Sequence, residues 1–436
     1  MSKLAFDEAT EMADGPDGGR QGQARPVPRI TIQSFCDTPE IAGTVEMAAS
    51  DRRMARAHVK VHTGGLLAAV EFYKSAPTPN LILVESRLPS EELLERLDRM
   101  AEVCDAGTKV MIIGHDNDVT IYRELLKRGV SEYLVAPVEV MGIIASISEI
   151  YHEEGSEKLG QVYAFIGAKG GVGSSTVAHN VAWTMARVFG SDVILADMDL
   201  PFGTAGLDFN QDPTQGIADA VTGSDRLDEV LLDRLLAKCE DHLSLLAAPA
   251  ALEKAYDFEE AAFEHVLDII QSNVPSVVLD IPHMWTGWTR KTLLAADEVV
   301  VTAMPDLANL RNAKNLIDIL KQARPNDAPP KLILNQAGIP KRPEIKPDDF
   351  ASALQLEPVA VIPFDPLLFG TAANNGQMIA EASAKTHISD LFADVAQIIT
   401  GRKELRRSRR SAFNLAPLLE RLKAKPKQKA RPRAAA

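Results

Sequence analysis

Short apolar runs alternate with amphipathic segments in the first part of this chain of 436 residues, from Arg29 to about Tyr151. The runs ITIQSF, NLILVES, KVMIIG and EYLVAP are typical of buried strands. The segments between them, LLAAVEFYKSA, EELLERLDRMAEV and IYRELLKRG, are typical of helices. This alternation predicts a parallel sheet with helices on both faces, which is a doubly wound α/β domain over residues 29–151.

The same pattern restarts after a polar stretch, HEEGSEKLG, which predicts a linker over residues 152–160. Seven strand-like runs follow up to about Thr400: VYAFIG, DVILADMD, LSLLAA, SVVLDIP, EVVVTAM, KLILNQ and PVAVIP. We therefore expect a second doubly wound α/β domain over residues 161–401. Residues 1–28 are rich in Gly, Asp, Gln and Pro without periodicity, which predicts a disordered arm.

Charge is distributed unevenly over the chain. Residues 402–436 hold 13 Lys or Arg and two Glu, which leaves 34 basic and 58 acidic residues for the rest. An acidic body argues against a DNA-coating domain, whereas the basic tail could meet an anionic membrane surface. Aromatic residues make up 5% of the chain, which argues against an aromatic nucleic-acid platform or a carbohydrate groove. The three cysteines are far apart, and neither a signal peptide nor a membrane-spanning run is recognisable, so we expect a cytoplasmic protein.

A glycine-rich segment, GAKGGVGSST (167–176), carries the clearest chemical signal. It lies between the strand VYAFIG and the helical run VAHNVAWTMARVF, which is the context that a phosphate-binding loop requires. Glycines let backbone N–H groups turn toward a phosphate, and the helix N-terminus adds a positive dipole. The hydroxyl of Ser175 stands where it could bind Mg²⁺. The alternative is a glycine-rich turn without a ligand.

This loop resembles the deviant Walker A loop of the MinD and ParA ATPases, KGGxGK[ST]. The resemblance implies that Lys169 reaches across an ATP-bridged dimer to the nucleotide of the partner. Two positions depart from the pattern: Ala168 replaces a glycine, and Ser174 replaces the second lysine, which neutralises the β- and γ-phosphates. We therefore expect weakened nucleotide binding or slow hydrolysis. The implied nucleotide-binding residues are Lys169, Gly170, Gly171, Val172, Gly173, Ser174, Ser175 and Thr176.

Three further segments resemble the same ATPases, in the same order along the chain. In ILADMDL the resemblance places Asp199 at the attacking water and Asp197 near Mg²⁺, although acids that end strands are often simple caps. In SVVLDIP, Asp280 resembles the Walker B carboxylate that holds Mg²⁺ through a water. Asn335 in KLILNQ matches the asparagine that binds adenine, and Pro363 lies in a segment that packs on the base.

The first domain loosely resembles a response-regulator receiver, which has the flavodoxin-like fold. Glu85 stands at the position of the phosphoacceptor aspartate, with Pro89 at the expected distance after it. The acidic pair after the first strand is reduced to Asp37, and Ala136 replaces the lysine before Pro137. The resemblance implies a degenerate receiver that binds partners without being phosphorylated. An unrelated flavodoxin-like domain is the alternative.

Three other features admit two interpretations each. We expect His179, on the helix after the phosphate loop, to be a packed or solvated residue rather than a catalyst. Trp285 and Trp288 could face a dimer partner or pack locally under the next helix. The tail segment LAPLLERLKAK has a leucine stripe that could contact a membrane, but Pro417 favours a disordered basic tail.

A degenerate receiver followed by a MinD/ParA-type P-loop NTPase is similar to the CpaE/TadZ family. The resemblance implies a protein that binds ATP and Mg²⁺, forms an ATP-dependent homodimer with slow or absent hydrolysis, and positions the Flp (Tad) pilus secretion machinery. Its partners would be the pilus motor or a polar landmark, in the cytoplasm or at the inner face of the membrane. Two alternatives remain: a ParA-type partitioning ATPase, and a nucleotide-free polar scaffold with a vestigial loop.

Overall fold

The computed structural model describes residues 25–151, 159–249 and 256–403. Most of the predicted arm, linker and basic tail lies outside these described residues. Two separate sheets are present, one of five strands and one of eight. The fold class predicted from the sequence, α/β with two doubly wound parallel sheets, is confirmed.

The first sheet is entirely parallel, with the strand order β2-β1-β3-β4-β5. This is the flavodoxin-like order. Its strands are β1 (Thr31–Cys36), β2 (His58–Thr63), β3 (Leu81–Glu85), β4 (Lys109–Gly114) and β5 (Glu132–Val135). Its helices are α1 (Pro39–Ala49), α2 (Gly65–Tyr73), α3 (Ser90–Ala101), α4 (Val119–Lys127) and α5 (Val140–Tyr151), with a 3₁₀ helix at Arg52–Met54.

The second sheet has the order β13-β12-β11-β6-β10-β7-β9-β8, and all of its pairs except β8–β9 are parallel. Its strands are β6 (Gln161–Gly167), β7 (Val193–Asp197), β8 (Ala237–Glu240), β9 (Leu243–Leu246), β10 (Ser276–Ile281), β11 (Glu298–Ala303), β12 (Lys331–Ala337) and β13 (Pro358–Pro363). Its helices are α6 (Ser174–Phe189), α7 (Ala205–Asp208), α8 (Ile217–Thr222), α9 (Glu229–Leu235), α10 (Glu264–Asn273), α11 (Gly287–Ala295), α12 (Leu307–Ala323), α13 (Pro347–Leu354), α14 (Pro366–Asn375), α15 (Ile379–Ala382) and α16 (His387–Ile399).

The central strand β6 is buried on both faces, which explains the continuous apolar run that predicts it in the sequence. Val162 and Ile166 belong to the hydrophobic core on one face of the sheet, and Tyr163 and Phe165 belong to the core on the other. Because helices cover both faces, every position from Val162 to Gly167 is buried and the strand is a continuous apolar run. Its carboxyl end leads directly into the glycine-rich loop.

Two edge strands were not predicted. Strand β2 has the sequence HVKVHT and contains no fully buried residue, and strand β8, AKCE, is short and likewise contains none. Each pairs on one side with a neighbouring strand of the described sheet. Since an edge strand need not be apolar, neither produced the buried run that marks a strand in the sequence.

The two domains contact each other through the 3₁₀ helix Arg52–Met54. Arg52 Nε lies 2.8 Å from Asp327 Oδ2, and its Nη1 donates to the carbonyl of Ala295 at 3.0 Å. Arg53 is 2% exposed and pairs with Asp51 at 2.9 Å and also with Asp327. These contacts lie at the amino ends of β11 and β12, on the edge of the sheet opposite to the glycine-rich loop.

Candidate nucleotide-binding site

The glycine-rich loop joins β6 to α6, as the sequence predicts. Gly171 and Gly173 have φ angles of 78° and 83°, in the left-handed region that favours glycine. A Cβ atom on Gly173 would lie 2.5 Å from Asn335 Nδ2, so a close approach also requires glycine there. Helix α6 begins at Ser174, and its first N–H groups have no intrahelical acceptor. Its first turn therefore presents donors and a positive dipole at the loop.

Side chains from three other segments hold the carbonyl groups of the loop. His283 Nδ1 lies 2.8 Å from the carbonyl oxygen of Gly167, and Asn312 donates to that of Ala168 at 3.0 Å. Asn335 donates to the carbonyl of Val172 at 2.8 Å, and Gln336 to that of Gly171 at 3.1 Å. No local sequence pattern marks His283, Asn312 or Gln336, because such contacts depend on segments far apart in the chain.

Lys169 and Ser174 occupy different environments within this loop. Lys169 is exposed. The Oγ atom of Ser174 is buried and has no hydrogen-bond partner among the described residues. A buried hydroxyl without a partner is costly, which indicates that the site is built around a further polar group. Ser175 and Thr176 are partly buried in the first turn of α6.

Asp197 ends β7 and is fully buried. Its Oδ1 accepts a hydrogen bond from the N–H of Asp199 and its Oδ2 accepts one from that of Ala205, both at 3.1 Å. Burial, followed by the charge of Asp280, raises the pKa of Asp197. Both oxygens are therefore engaged in shaping the turn that carries Asp199.

Asp199 begins this turn and is partly buried. Its Oδ1 accepts a hydrogen bond from the N–H of Phe202 at 3.3 Å, and burial raises its pKa. Asp280 lies near the end of β10, paired in register with Asp197 on one side and with Phe165 of β6 on the other. The three predicted carboxylates are thus brought together beside the loop, at the carboxyl ends of adjacent strands.

His179 belongs to the same cluster, although the sequence analysis gave it no role in the site. It is fully buried on α6, with Nδ1 2.7 Å from Asp208 Oδ2 and Nε2 3.3 Å from Asp280 Oδ2. Burial alone would lower its pKa, but the two carboxylates outweigh this effect and raise the pKa to about 10. His179 is therefore a packed residue, as expected, but one that touches the predicted metal-binding carboxylate.

A cavity of about 210 Å³ lies at the other end of the loop. Gly173, Thr176, Asn335, Pro363 and Phe369 are among its lining residues. Both residues predicted to meet adenine therefore line one cavity beside the phosphate loop. The amide of Asn335 is half used within the protein, since Nδ2 donates to Val172 and Oδ1 accepts from the N–H of Gln336 at 2.9 Å. One N–H and one lone pair are left for a base.

The residues present fit a magnesium nucleotide better than a metal held by protein alone. No group of three or more His, Cys, Asp or Glu side chains that could hold a metal ion was found within the described ranges. Mg²⁺ is typically bound by one or two carboxylates together with substrate phosphates and water. Asp280, the hydroxyl of Ser175 and the unpartnered Ser174 Oγ match this kind of incomplete protein site.

Glu85, the predicted counterpart of a phosphoacceptor, is fully buried at the end of β3. Its carboxylate accepts hydrogen bonds from the N–H of Thr38 at 2.8 Å and from the Thr38 hydroxyl at 2.9 Å. His115 Nε2 lies 3.1 Å from Glu85 Oε1. Burial, followed by the charge of Glu85, raises the pKa of neighbouring Asp37.

The two tryptophans after β10 have different environments. Trp288 is 5% exposed in α11 and packs on Phe263, with ring centroids 4.7 Å apart. Trp285 is 50% exposed. Of the two predicted alternatives, local packing holds for Trp288, whereas the ring of Trp285 is exposed at the surface.

Comparisons with known proteins bear on both domains. A family described as an AAA domain matches residues 160–332. The chain is 48% identical to a pilus assembly protein CpaE from Caulobacter crescentus, over 30% of this chain and 98% of that one, with a TM-score of 0.29. The chain belongs to the CpaE family. This assignment rests on the sequence identity and the near-complete coverage of that relative.

Two further relatives match a larger part of this CpaE-family chain. A ParA family ATPase from Chlorobium tepidum is 27% identical, with a TM-score of 0.50, over 56% of this chain and 100% of that one. The septum site-determining protein MinD of Bacillus subtilis is 23% identical over 250 residues, which is 56% of this chain and 90% of that protein. The chain is thus a CpaE-like protein of the MinD/ParA ATPase family. Across the ranges that the structure describes, no helix is long and apolar enough to span a membrane.

Proposed function

We propose that this CpaE-family chain binds ATP together with Mg²⁺ at the loop between β6 and α6. One observation carries the proposal: side chains of His283, Asn312, Asn335 and Gln336 bind four carbonyl groups of the loop, those of Gly167, Ala168, Gly171 and Val172. A loop whose carbonyls are bound on one side can direct its N–H groups to the other, where phosphate oxygens need donors. The cavity at Asn335 lies beside one end of this loop and the carboxylates beside the other.

Most of the predicted residues would have a role in such a site. Gly170, Gly171 and Gly173 let the loop turn, and Ser174, Ser175 and Thr176 supply the first turn of α6. Asn335 and Pro363 would hold the base. Asp280 and Ser175 would hold Mg²⁺, directly or through water, with Asp197 supporting them by fixing the turn of Asp199. The metal, when bound, supplies positive charge to the phosphates.

The same edge of the sheet supports association with a second copy. Large apolar side chains are exposed on the segments that follow β7, β10 and β11, among them Phe202 at 70%, Trp285 at 50% and Leu307 at 73%. Apolar side chains concentrated around one site are typical of an interaction surface. Lys169 is exposed at this edge. We infer an ATP-dependent homodimer in which Lys169 contacts the nucleotide of the partner.

The kinship with a pilus assembly protein supports a role at the pilus machinery. In this role the nucleotide-dependent dimer would position or help to assemble the Flp (Tad) pilus secretion machinery, and the first domain would bind the motor or a polar landmark. Glu85 is held by Thr38 and His115, so the first domain would work without a phosphorylation step. The predicted contact of residues 402–436 with a membrane surface lies almost wholly outside the described residues.

Light scattering after size exclusion tests the nucleotide-dependent dimer. We expect a monomer without nucleotide and a dimer with a slowly hydrolysed ATP analogue and Mg²⁺. The Lys169→Ala variant should bind the analogue but remain monomeric, because Lys169 acts on the partner's site. A Lys314→Ala variant, which breaks an exposed pair with Asp318, is the matched control and should dimerise normally. An unchanged mass with no bound nucleotide would favour the scaffold with a vestigial loop instead.

A further inference from the structure

His179 joins two carboxylates that belong to different parts of the nucleotide site. It lies on α6 one turn after Ser175, and its side chain is fully buried. One ring nitrogen, Nδ1, is bonded to Asp208 at 2.7 Å. The other, Nε2, faces Asp280 at 3.3 Å. A third carboxylate, Asp197, is close enough for His179 to lower its pKa, against the stronger effects of burial and Asp280.

Each of the two carboxylates that His179 contacts belongs to an element that helps to form the nucleotide site. Asp280 lies in β10 and is the proposed metal-binding carboxylate. Asp208 is the last residue of α7. This helix begins at Ala205, whose N–H is held by Asp197, so it continues directly from the turn that carries Asp199. His179 therefore connects the phosphate-loop helix, the Walker B strand and the segment 199–208.

His179 and Asp280 are close enough for an ion pair but are not aligned for a hydrogen bond. Nε2 of His179 is buried and has no hydrogen-bond partner among the described residues, although Asp280 lies within ion-pair distance. A buried donor without a partner costs free energy, and a small rotation of the Asp280 carboxylate would give it one. The ring is meanwhile held in place by its well-aligned bond to Asp208 and by contact with Phe209, whose centroid is 5.8 Å away.

We propose that His179 is a positioning residue: it orients Asp280 for the metal and links that orientation to the position of α7. The inference rests on the proposed nucleotide site. It also gives Asp208 a role in holding the ring. Partners of this kind, one bond away from a metal ligand, commonly decide how well the ligand works.

The metal dependence of nucleotide binding tests the orientation of Asp280. The affinity for a fluorescent, slowly hydrolysed ATP analogue is measured with Mg²⁺ and with EDTA, and the ratio of the two affinities is compared between variants. We expect His179→Leu to reduce this ratio by about 10- to 100-fold, the usual cost of losing such a partner. His179→Gln keeps a donor and should recover part of the loss. The control is His242→Leu, since His242 forms a similar pair with Asp192 on the surface.

Hydrogen exchange tests the link to α7. The Asp208→Asn variant weakens the hold of α7 on the ring but leaves Asp280 and His179 in place. We expect faster exchange in segment 199–209 of this variant. The metal ratio should fall, but less than in His179→Leu, because the ring loses only one of the contacts that hold it. His179→Leu should instead speed exchange at both segment 199–209 and the end of β10. With the analogue and Mg²⁺ added, exchange in segment 199–209 should slow in the unaltered chain and stay fast in both variants.

The outcomes separate this inference from the proposed function. If His179→Leu lowers affinity equally with and without Mg²⁺, the residue is merely structural and the inference is wrong. A larger ratio of the affinities with Mg²⁺ and with EDTA in His179→Leu would mean that the imidazole competes with the metal. This result would also overturn the inference. If the unaltered chain binds no nucleotide, the proposed function fails. The link between His179 and α7 is then tested by hydrogen exchange measured without nucleotide. Unchanged exchange in either of the two segments of His179→Leu would then refute the link.

Discussion

The side chain of Ser174 is short, and its hydroxyl oxygen is buried at the start of α6. Its Oγ atom lacks a hydrogen-bond partner among the described residues, at the start of the helix that faces the proposed phosphates. A lysine at this position would bring a full positive charge to the same place. The serine provides a hydroxyl dipole instead, which neutralises much less charge on a transferring phosphoryl group.

The residue-scale prediction is that Ser174→Lys accelerates ATP hydrolysis. One well-placed electrostatic donor contributes on the order of 10²- to 10³-fold to a rate, so a gain in this range is expected if the lysine reaches the phosphates. A phosphate-release assay measures it. The Ser174→Ala variant, which adds no charge, should hydrolyse ATP no faster than the unaltered chain. Equal rates and equal affinities in the lysine variant and the unaltered chain would refute this explanation of the substitution.

Much of the site was predictable because its residues follow strands that the pattern reveals. Asp197, Asp280 and Asn335 each lie at or near the end of a buried apolar run, so their convergence at one edge follows from parallel pairing. The partners of the loop were not predictable in this way. Asn312 contacts a residue 144 positions away, and His283 one 116 positions away. Such contacts arise only from how helices and loops pack, which no local pattern encodes.

At the scale of elements, the start of α11 places two nearby tryptophans, Trp285 and Trp288, in different environments. Trp288 faces the core against Phe263, whereas Trp285 precedes the helix and lies at the surface. A sequence interpretation could not choose between the two environments because both residues fall in one short segment. The start of α11 decides it: the Thr286 hydroxyl accepts a hydrogen bond from the N–H of Thr289, which fixes the first turn and the direction of Trp288.

The element-scale prediction compares the two tryptophans. Trp288→Ala should lower the free energy of unfolding by about 3–5 kcal/mol, because it leaves a cavity in the core. Trp285→Ala should change it by no more than about 0.5 kcal/mol, as is usual for surface substitutions. Urea unfolding followed by circular dichroism measures both, since fluorescence would be altered by the substitutions themselves. Similar losses in the two variants would contradict the packing described for α11.

At the scale of the molecule, an ion-pair network joins the two domains. Asp327 lies at its centre with the side chain 7% exposed, and it pairs with Arg52, Arg53 and Arg324. Arg52 also reaches Asp297, whose Oδ2 accepts the N–H of Val162 at the start of β6. Removing one member of such a buried network leaves the others uncompensated, which is more harmful than the absence of the whole network.

The whole-molecule prediction concerns acid. Burial alone would raise the pKa of Asp327, but the three surrounding arginines outweigh it and lower the pKa from 3.8 to about 2. Because the folded-state pKa lies below the unfolded value, the stabilisation is complete above about pH 3.8 and disappears as the pH falls through about 2. The difference in melting temperature between the unaltered chain and Asp327→Asn should therefore shrink over this range, as scanning calorimetry would record.

A control for this prediction is available on the same interface. Arg56 and Asp268 also pair between the domains, but both side chains are exposed. Asp268→Asn should therefore cost no more than about 1 kcal/mol at any pH. A difference for Asp327→Asn that stays constant from neutral to strongly acidic pH would show that the network does not depend on this charge.

The place where the domains meet has a practical consequence for work with this chain. Arg52 contacts Asp297, which accepts the N–H of Val162 at the amino end of β6. The glycine-rich loop follows the carboxyl end of β6, and the seven residues of this strand span about 23 Å. A fluorescent protein or affinity handle fused to the first domain would be attached beyond the amino end of that strand. It should therefore report on the position of the molecule in a cell without crowding the edge where Lys169 and Trp285 are exposed.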